Sequence, residues 1–316
     1  MQAPQTRMAI ALASDDNYVR YLATAMASIL KNAAATDAID FYILDAGISD
    51  ANRLKIEKLR AIKDFSIRYL TVDAAQFKDC PPLACGAHTN VVTYYRFLLG
   101  DLLPGVDKVL YVDTDVIALQ SLRALWEIDM EGKYVAAVED KWEHIQTYKG
   151  KMGFAPEDKY FNAGIVFLNL EKCRQDGITK KLFENRLKLN ELQVFACGDQ
   201  DALNYTFKGH VHFLPWGYNV QQSTFWRRND EAQRQKKEAY IIHYNGPEKP
   251  DTKVCEHAFR DDWWVYYALT EFYTPAARKN SVPTWLKRLF VCHHRKDETL
   301  LRILKLNLFK IERGGQ

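Results

Sequence analysis

Long apolar runs are missing from this chain of 316 residues: no uninterrupted hydrophobic stretch approaches the ~20 residues that a membrane-spanning helix requires. Metal-binding cysteine spacing is missing as well. The 6 cysteines, at positions 80, 85, 173, 197, 255 and 292, are scattered, and Cys80 and Cys85 have no second Cys or His pair at ligand spacing. That argues against a zinc ribbon or a disulfide framework and fits thiols kept reduced. Internal repeats and low-complexity segments are absent. No Gly-rich basic loop follows the first apolar run, which speaks against a nucleotidyltransferase. That run, residues 8–13, ends in Asp15 and Asp16 without a cleavage-site pattern, so it does not read as a signal peptide.

What is present is 47% hydrophobic residues, enough for a large core, in apolar strand-like runs that alternate with helix-length amphipathic segments. This order predicts an α/β fold with a mainly parallel Rossmann-like sheet and flanking helices. Strands are expected at 8–14, 40–44, 65–72, 108–117, 134–138, 164–168 and 238–242. Helices are expected at 18–31, from a Ser49 cap to about 62, at 91–99, and opening at Asp199. Residues 73–90 read as a loop.

The most informative stretch is Lys-Val-Leu-Tyr-Val-Asp-Thr-Asp-Val-Ile at 108–117. A buried strand ending there delivers Asp113 and Asp115, and a period of two puts both carboxylates on one face, within reach of one divalent cation. Asp-x-Asp alone is a common tripeptide, most copies being solvated turns. Here, however, other polar groups also terminate apolar runs: Asp15, Asp16 and Asn17; Asp140; His243. Convergence at strand carboxyl ends is what a nucleotide pocket in such a sheet requires.

Residues 243–250 read His-Tyr-Asn-Gly-Pro-Glu-Lys-Pro. An imidazole beside two carboxylates makes a mixed N/O site suited to a metal such as manganese. Gly246 lets backbone approach a ligand, and Lys249 can neutralise a phosphate. Phe161-Asn162-Ala163-Gly164 would bring Asn162 to a substrate hydroxyl. Asp199 and Asp201 have an ordinary explanation as helix-start carboxylates, whereas Gln200 does not.

These blocks, together with 13–18 and 44–49, resemble glycosyltransferase family 8, most of all its bacterial lipooligosaccharide and lipopolysaccharide α-galactosyltransferases, over about residues 8 to 275. The resemblance implies a GT-A fold, manganese (magnesium being possible) and a UDP-hexose donor transferred with retention of configuration, galactose being favoured over glucose. By position it implies Asp113, Asp115 and His243 as metal ligands, with Thr114, between the first two, among the residues that bind the UDP-hexose. It implies Asp15, Asn17 and Tyr18 at the uridine, Tyr18 stacking on uracil, and Gly246 and Lys249 at the diphosphate. Arg96, Asp140, Asn162, Asp199 and Gln200 would surround the donor sugar, with Gln200 near the face opposite the leaving group. An amide is a poor nucleophile, which favours front-side attack by the acceptor. Asp251 departs from the aromatic residue that many relatives carry after the Lys-Pro pair.

Residues 1–275 are thus expected to be the catalytic domain and 276–316 a separate basic segment. Between Arg278 and Arg313, basic residues far outnumber Asp297, Glu298 and Glu312, although the whole chain carries only +3. Leu300, Leu304, Leu308 and Ile311 recur at helical spacing among Arg302, Lys305 and Lys310, preceded by Trp285, Leu286, Leu289 and Phe290. This predicts a basic amphipathic helical tail on an anionic membrane surface, each basic residue contributing about 1 kcal/mol. The expected setting is the cytoplasmic face of a bacterial inner membrane, with a lipid-linked saccharide acceptor formed against 73–90 and 213–235. Nucleic acid is not an expected partner, because no recognition fold accompanies the charge. Rival readings are a haloacid-dehalogenase-type phosphohydrolase with Asp113 as nucleophile, transfer to a protein acceptor, and a non-catalytic sugar-binding or scaffolding subunit.

Overall fold

Alternation along the first strand shows how the sequence builds two layers at once. In β1 (Thr6–Ser14), Met8, Ile10 and Leu12 pack into one buried cluster while Ala9, Ala11 and Ala13 pack into another. A strand covered on both faces must be apolar at consecutive positions, which is why this run shows no polar face. The alanines leave room on their side for the aromatics Tyr94, Tyr95 and Phe97, and the helix Val19–Asn32 covers the other side with Leu22, Met26 and Ile29. The computed structural model describes residues 6–80, 91–194, 196–221, 236–246, 249–252, 255, 257–279, 290–295, 298–303 and 306–312.

With β2 (Asp37–Asp45), β3 (Ser66–Thr71), β4 (Lys108–Val112), β6 (Val135–Glu139), β7 (Phe161–Asn169) and β8 (Val211–Leu214), the main sheet is 7-stranded in the order β3-β2-β1-β4-β7-β6-β8, and β5 (Val116–Ala118) lies outside it. The chain steps outward from β1 to β3, then returns to place β4 on the other flank of β1. Both β2 and β4 run parallel to β1, so a switch point opens between the carboxyl ends of β1 and β4. β7 is antiparallel to β4 and to β6. Its amino end, Phe161-Asn162, therefore lies at the same sheet edge as the carboxyl ends of β1, β4 and β6. A smaller 3-stranded sheet joins β5 to β10 (Ile241–His243) and β10 to β9 (Val220–Gln221). It carries His243 to that edge.

The mixed α/β architecture with a mostly parallel sheet matches expectation, but several details differ. The strand expected through 108–117 breaks after Val112, and its continuation, β5, belongs to the smaller sheet. Asp113 and Asp115 thus sit on a bend, and a two-residue strand period does not place them. The strand expected from Gly164 begins at Phe161, so Asn162 lies inside the ladder. Ser49 precedes the helix Asp50–Glu57 but makes no side-chain cap; its hydroxyl and backbone N–H both donate to Asp16 instead.

The helical tail is the largest correction. Described residues of the C-terminal segment form an antiparallel sheet of β11 (Phe290–Arg295), β12 (Glu298–Ile303) and β13 (Leu306–Glu312). Of the residues that suggested a helix, Leu300 lies in β12 and Leu308 and Ile311 in β13, with Leu300 opposite Lys310 and Thr299 opposite Ile311. Threonine, isoleucine and phenylalanine in these runs favour the extended form. Trp285, Leu286, Leu289, Leu304 and Lys305 lie outside the described residues, as do 81–90 of the expected loop, 222–235 of the expected acceptor segment, and Pro247 and Glu248.

Candidate functional site

β4 and β5 are joined by the bend that bears Asp113 and Asp115. Two backbone bonds set its shape: Asp113 N donates to Gly164 O (2.7 Å), and Tyr244 N donates to Asp115 O (2.8 Å). One bond ties the bend to the main sheet, the other to the smaller one. His243 comes in on β10, with Nε2 3.3 Å from Asp115 Oδ1 and 3.8 Å from Asp113 Oδ2. Ligand atoms of these residues all lie within 4.8 Å of one another.

Two carboxylates and an imidazole are a donor set for a divalent cation, and the surroundings fit one. Gly164 lies against the cluster: a Cβ there would lie 2.2 Å from His243 Cε1 and 2.8 Å from Asp113 Oδ2. No larger residue leaves the space. Lys249 already places a positive charge on the cluster, its Nζ donating to Asp115 Oδ2 (2.5 Å) and to Tyr244 O (3.1 Å). Burial alone would raise the Asp115 carboxyl, yet Lys249 and then His243 outweigh it and hold that carboxyl well below the usual range. The Lys249 ammonium, depressed by burial, is raised overall by Asp115. Gly246, between His243 and Lys249, has φ 95°, which favours glycine.

Arg96 forms the floor. Buried, it donates through Nη2 to Asp113 (2.9 Å), through Nη1 to Ala163 O (2.5 Å) and through Nε to Thr93 O (2.9 Å). Its Nε is 3.2 Å from Asp199 Oδ2, and its guanidinium lies 4.2 Å from the centre of the Tyr111 ring. Burial pushes the Asp199 carboxyl up to about 6 although Arg96 pulls it down, Asp113 adding to the rise. A carboxyl raised when folded keeps a proton that the unfolded chain releases near 3.8, so this group lowers stability progressively as pH rises from 3.8 to about 6 and no further above that. Asp199→Asn is expected to lessen that decline. Urea midpoints of both proteins between pH 4 and 6 check it, parallel curves being the contrary result.

A second group of side chains continues from the first. Asp140 Oδ2 accepts from Asn162 Nδ2 (3.1 Å) and Gln200 Nε2 (3.2 Å), while Gln200 Oε1 accepts from Ala163 N (2.9 Å). Asp140 and Asn162 are buried, and Gln200 is half exposed. Asp201, by contrast, turns inward. It accepts from Tyr148 (3.0 Å), Tyr160 (2.7 Å) and Cys197 N (2.7 Å), which makes it a structural anchor for the start of the helix Asp199–Phe207.

At the switch point, Asp15 Oδ1 accepts from Tyr18 N (2.9 Å), shaping the turn from β1 into the helix Val19–Asn32. The half-buried Tyr18 hydroxyl is raised by burial, and its ring lies 5.2 Å from that of Tyr21. Asn17 is exposed, Thr114 is buried in the bend, and Asp16 serves the Ser49 turn. Asp251 is bound to the helix Val19–Asn32, accepting from Arg20 (2.9 Å) and Tyr21 (2.6 Å). It thereby fastens the segment after Lys249.

Asp113, Asp115, His243, Lys249, Arg96, Asp199, Asp140, Asn162 and Gln200 therefore share one continuous set of contacts. Sequence reasoning missed two buried members, Asn219 and Gln221. Asn219 bonds Asn162 and His243, while Gln221 Nε2 reaches Glu139 O (3.4 Å) and its Oε1 has no hydrogen-bond partner among the described residues. Neither stands in a motif with spacing that signals chemistry. Their only signal is position, in or beside a short strand paired with the one that ends at His243.

Comparison with known proteins agrees with this architecture. The family model for Glycosyl transferase family 8 matches residues 9–253. A solved structure, galactosyltransferase LgtC in complex with donor and acceptor sugar analogs, superposes with a TM-score of 0.73 at 31% identity, covering 86% of this chain and 100% of that one. General stress protein A of Bacillus subtilis is 28% identical over 84% of this chain and 95% of its own length. Lipopolysaccharide 1,2-glucosyltransferase of Escherichia coli is 28% identical over 84% of this chain and 80% of its own.

Proposed function

Since the chain belongs to glycosyl transferase family 8, we propose that it is a retaining, metal-dependent hexosyltransferase that moves galactose from UDP-galactose to the saccharide of a lipooligosaccharide or lipopolysaccharide core. The observation that carries this reading is the meeting of Asp113, Asp115 and His243 with Lys249 at the carboxyl edge of the sheet. A dication held by those three residues, manganese best suiting the mixed donor set, would supply positive charge against the charge that grows on the departing UDP. Lys249, whose Nζ donates to Asp115, would add its ammonium charge on the side of the diphosphate. Asp15, Asn17 and Tyr18 hold the uridine beside it, and Gly246 allows backbone to approach the phosphates.

Asp140, Asn162, Asp199 and Arg96 orient the hexose, leaving its anomeric carbon between Gln200 and the leaving oxygen. The bond from that carbon to phosphate breaks, and the acceptor oxygen bonds to the carbon from the same face. The acceptor proton passes to the departing phosphate oxygen. Gln200, bonded to Asp140 and to Ala163 N, presents a fixed amide dipole to the developing positive charge. Galactose is favoured by the likeness to LgtC; the glucosyltransferase relative supports UDP-glucose as the second reading.

Residues 276–316 are assigned to attachment at an anionic membrane surface, supported by their excess of Lys and Arg. Among the described residues no helix is long and apolar enough to cross a membrane. Family membership removes the phosphohydrolase reading, and the Arg96 contact to Asp113 would in any case blunt that carboxylate as a nucleophile.

The test is transfer to a lipooligosaccharide core acceptor with manganese, comparing UDP-galactose with UDP-glucose and reading the new anomeric proton by NMR. An α product, formed faster from UDP-galactose, is expected. A β product overturns retention, and faster transfer from UDP-glucose reassigns the sugar.

A further inference from the structure

A chain of amide hydrogen bonds leads from the residues beside Gln200 to His243, and its atom identities can be worked out from one end. Gly164 N is 3.0 Å from one terminal atom of the Asn162 amide. A backbone N–H only donates, so that atom is the oxygen, and the other atom, 3.1 Å from Asp140 Oδ2, is the nitrogen. Both contacts give the same assignment. Asn219 lies 2.8 Å from the same Asn162 oxygen, so the atom it presents there is its nitrogen. The remaining atom of Asn219, 3.1 Å from His243 Nδ1, is then its oxygen. An oxygen at that distance requires Nδ1 to carry hydrogen. The lone pair of a neutral ring is left on Nε2, the atom that faces Asp113 and Asp115.

We propose that Asn219 is a positioning residue for the metal site: it holds the His243 ring in the tautomer and orientation that aim the Nε2 lone pair at a divalent cation, and links that ligand to Asn162 and Asp140. The inference rests on the reading of Asp113, Asp115 and His243 as ligands. Neutral histidine in water prefers hydrogen on Nε2, so a buried acceptor at Nδ1 has a function to perform. Metal-bound histidines generally donate their second N–H to such an acceptor, and loss of that partner typically weakens metal binding about 10- to 100-fold.

The backbone around Asn219 is built to hold it. Asn219 ends the turn Trp216–Tyr218, its N donating to Trp216 O (3.0 Å). Tyr240 N donates to Gly217 O (2.8 Å), and a Cβ on Gly217 would lie 2.3 Å from Glu238 O. The next residue, Val220, pairs with Ile242 in the strand that carries His243. With side chain and neighbours buried, Asn219 has little freedom to turn its amide around. A reversal would set nitrogen against a ring N–H and oxygen against oxygen.

Manganese binding to the full-length, nucleotide-free protein, read as free Mn2+ by electron paramagnetic resonance, tests this. Four proteins are compared: native, Asn219→Leu, Asn219→Asp, and the double variant Asp113→Asn with Asp115→Asn. Unfolding temperatures are recorded in chelator. Asn219→Leu keeps the branching at Cγ and loses the acceptor, and about 10- to 100-fold weaker binding is expected. Asn219→Asp restores an oxygen at His243 Nδ1 and is expected to recover most of the affinity, although it too loses the donor to Asn162. A purely structural role would make both variants lose chelator-state stability and affinity together, and that result overturns the proposal. Native affinity in Asn219→Leu also overturns it. If Asn219→Leu does not fold, Asn219→Ala takes its place against Asn219→Asp with the same two readings. A double variant that still binds Mn2+ like the native protein shows the ligand assignment itself to be wrong; loss there with native affinity in Asn219→Leu removes only the role given to Asn219.

Discussion

Gly164→Ala is expected to abolish tight divalent-cation binding and to reduce turnover at least about 100-fold, the penalty that a displacement near 1 Å can bring. A methyl group at this position would overlap His243 Cε1 at 2.2 Å and Asp113 Oδ2 at 2.8 Å. The backbone cannot retreat to make space, because Gly164 O accepts from Asp113 N and Gly164 N donates to Asn162. Movement falls instead on the imidazole and the carboxylate that the cation needs. Overpacking of this kind costs about 1–3 kcal/mol, which leaves a sheet of this size folded. Mn2+ titration and urea unfolding on one preparation check it. Native-like Mn2+ affinity would mean that the three side chains do not act as a ligand set.

Arg96→Met should have the largest effect on stability. One guanidinium satisfies the carboxylates of Asp113 and Asp199 and the carbonyls of Thr93 and Ala163, all from a buried position. Removing it strands buried negative charge, typically a loss of about 3–5 kcal/mol. Arg96→Lys should recover little, since an ammonium cannot reproduce a planar fork that spans several acceptors and stacks on Tyr111. The unfolding temperature of Arg96→Met in Mn2+ should recover a larger share of the native value than in chelator, because a cation partly replaces the lost charge at Asp113. An equal deficit in both conditions would contradict the position given to Arg96 beside the cation.

Much of this was readable before any coordinates. Residues 8–14 read as a strand from their apolar run, and Asp113, Asp115 and His243 as polar ends to apolar runs, with Lys249 following in the segment 243–250. What misled was local periodicity applied beyond its reach. The step from Val112 to Val116 reads as one strand, but the chain bends there to pass from the main sheet to the smaller one. The pairing with Ile241–His243 that draws it away lies more than a hundred residues further on. In the tail, Leu300, Leu308 and Ile311 satisfy a helical spacing and also fall into two short strands, and the sequence alone does not choose between them.

Asn219 was illegible for a related reason. Its role depends on partners 57 and 24 residues distant, Asn162 and His243, and asparagine near Gly217 reads as turn chemistry. Asp199 and Asp201 show the limit from the other side. Both read as helix-start acids, yet one meets Arg96 in the site and the other holds two tyrosine hydroxyls in the core. Residue type and helix position alone do not separate them.

The central claim is that Asp113 and Asp115 hold the cation on which transfer from a UDP-hexose depends. Its most direct test is UDP release with manganese from UDP-galactose and UDP-glucose in the presence of a core saccharide acceptor. The native chain is compared with the double variant Asp113→Asn, Asp115→Asn, after unfolding curves have shown both to be folded. Release should occur in the native chain, vanish on chelation and be absent from the variant. Release that persists without the two carboxylates, or that ignores the chelator, would contradict the account.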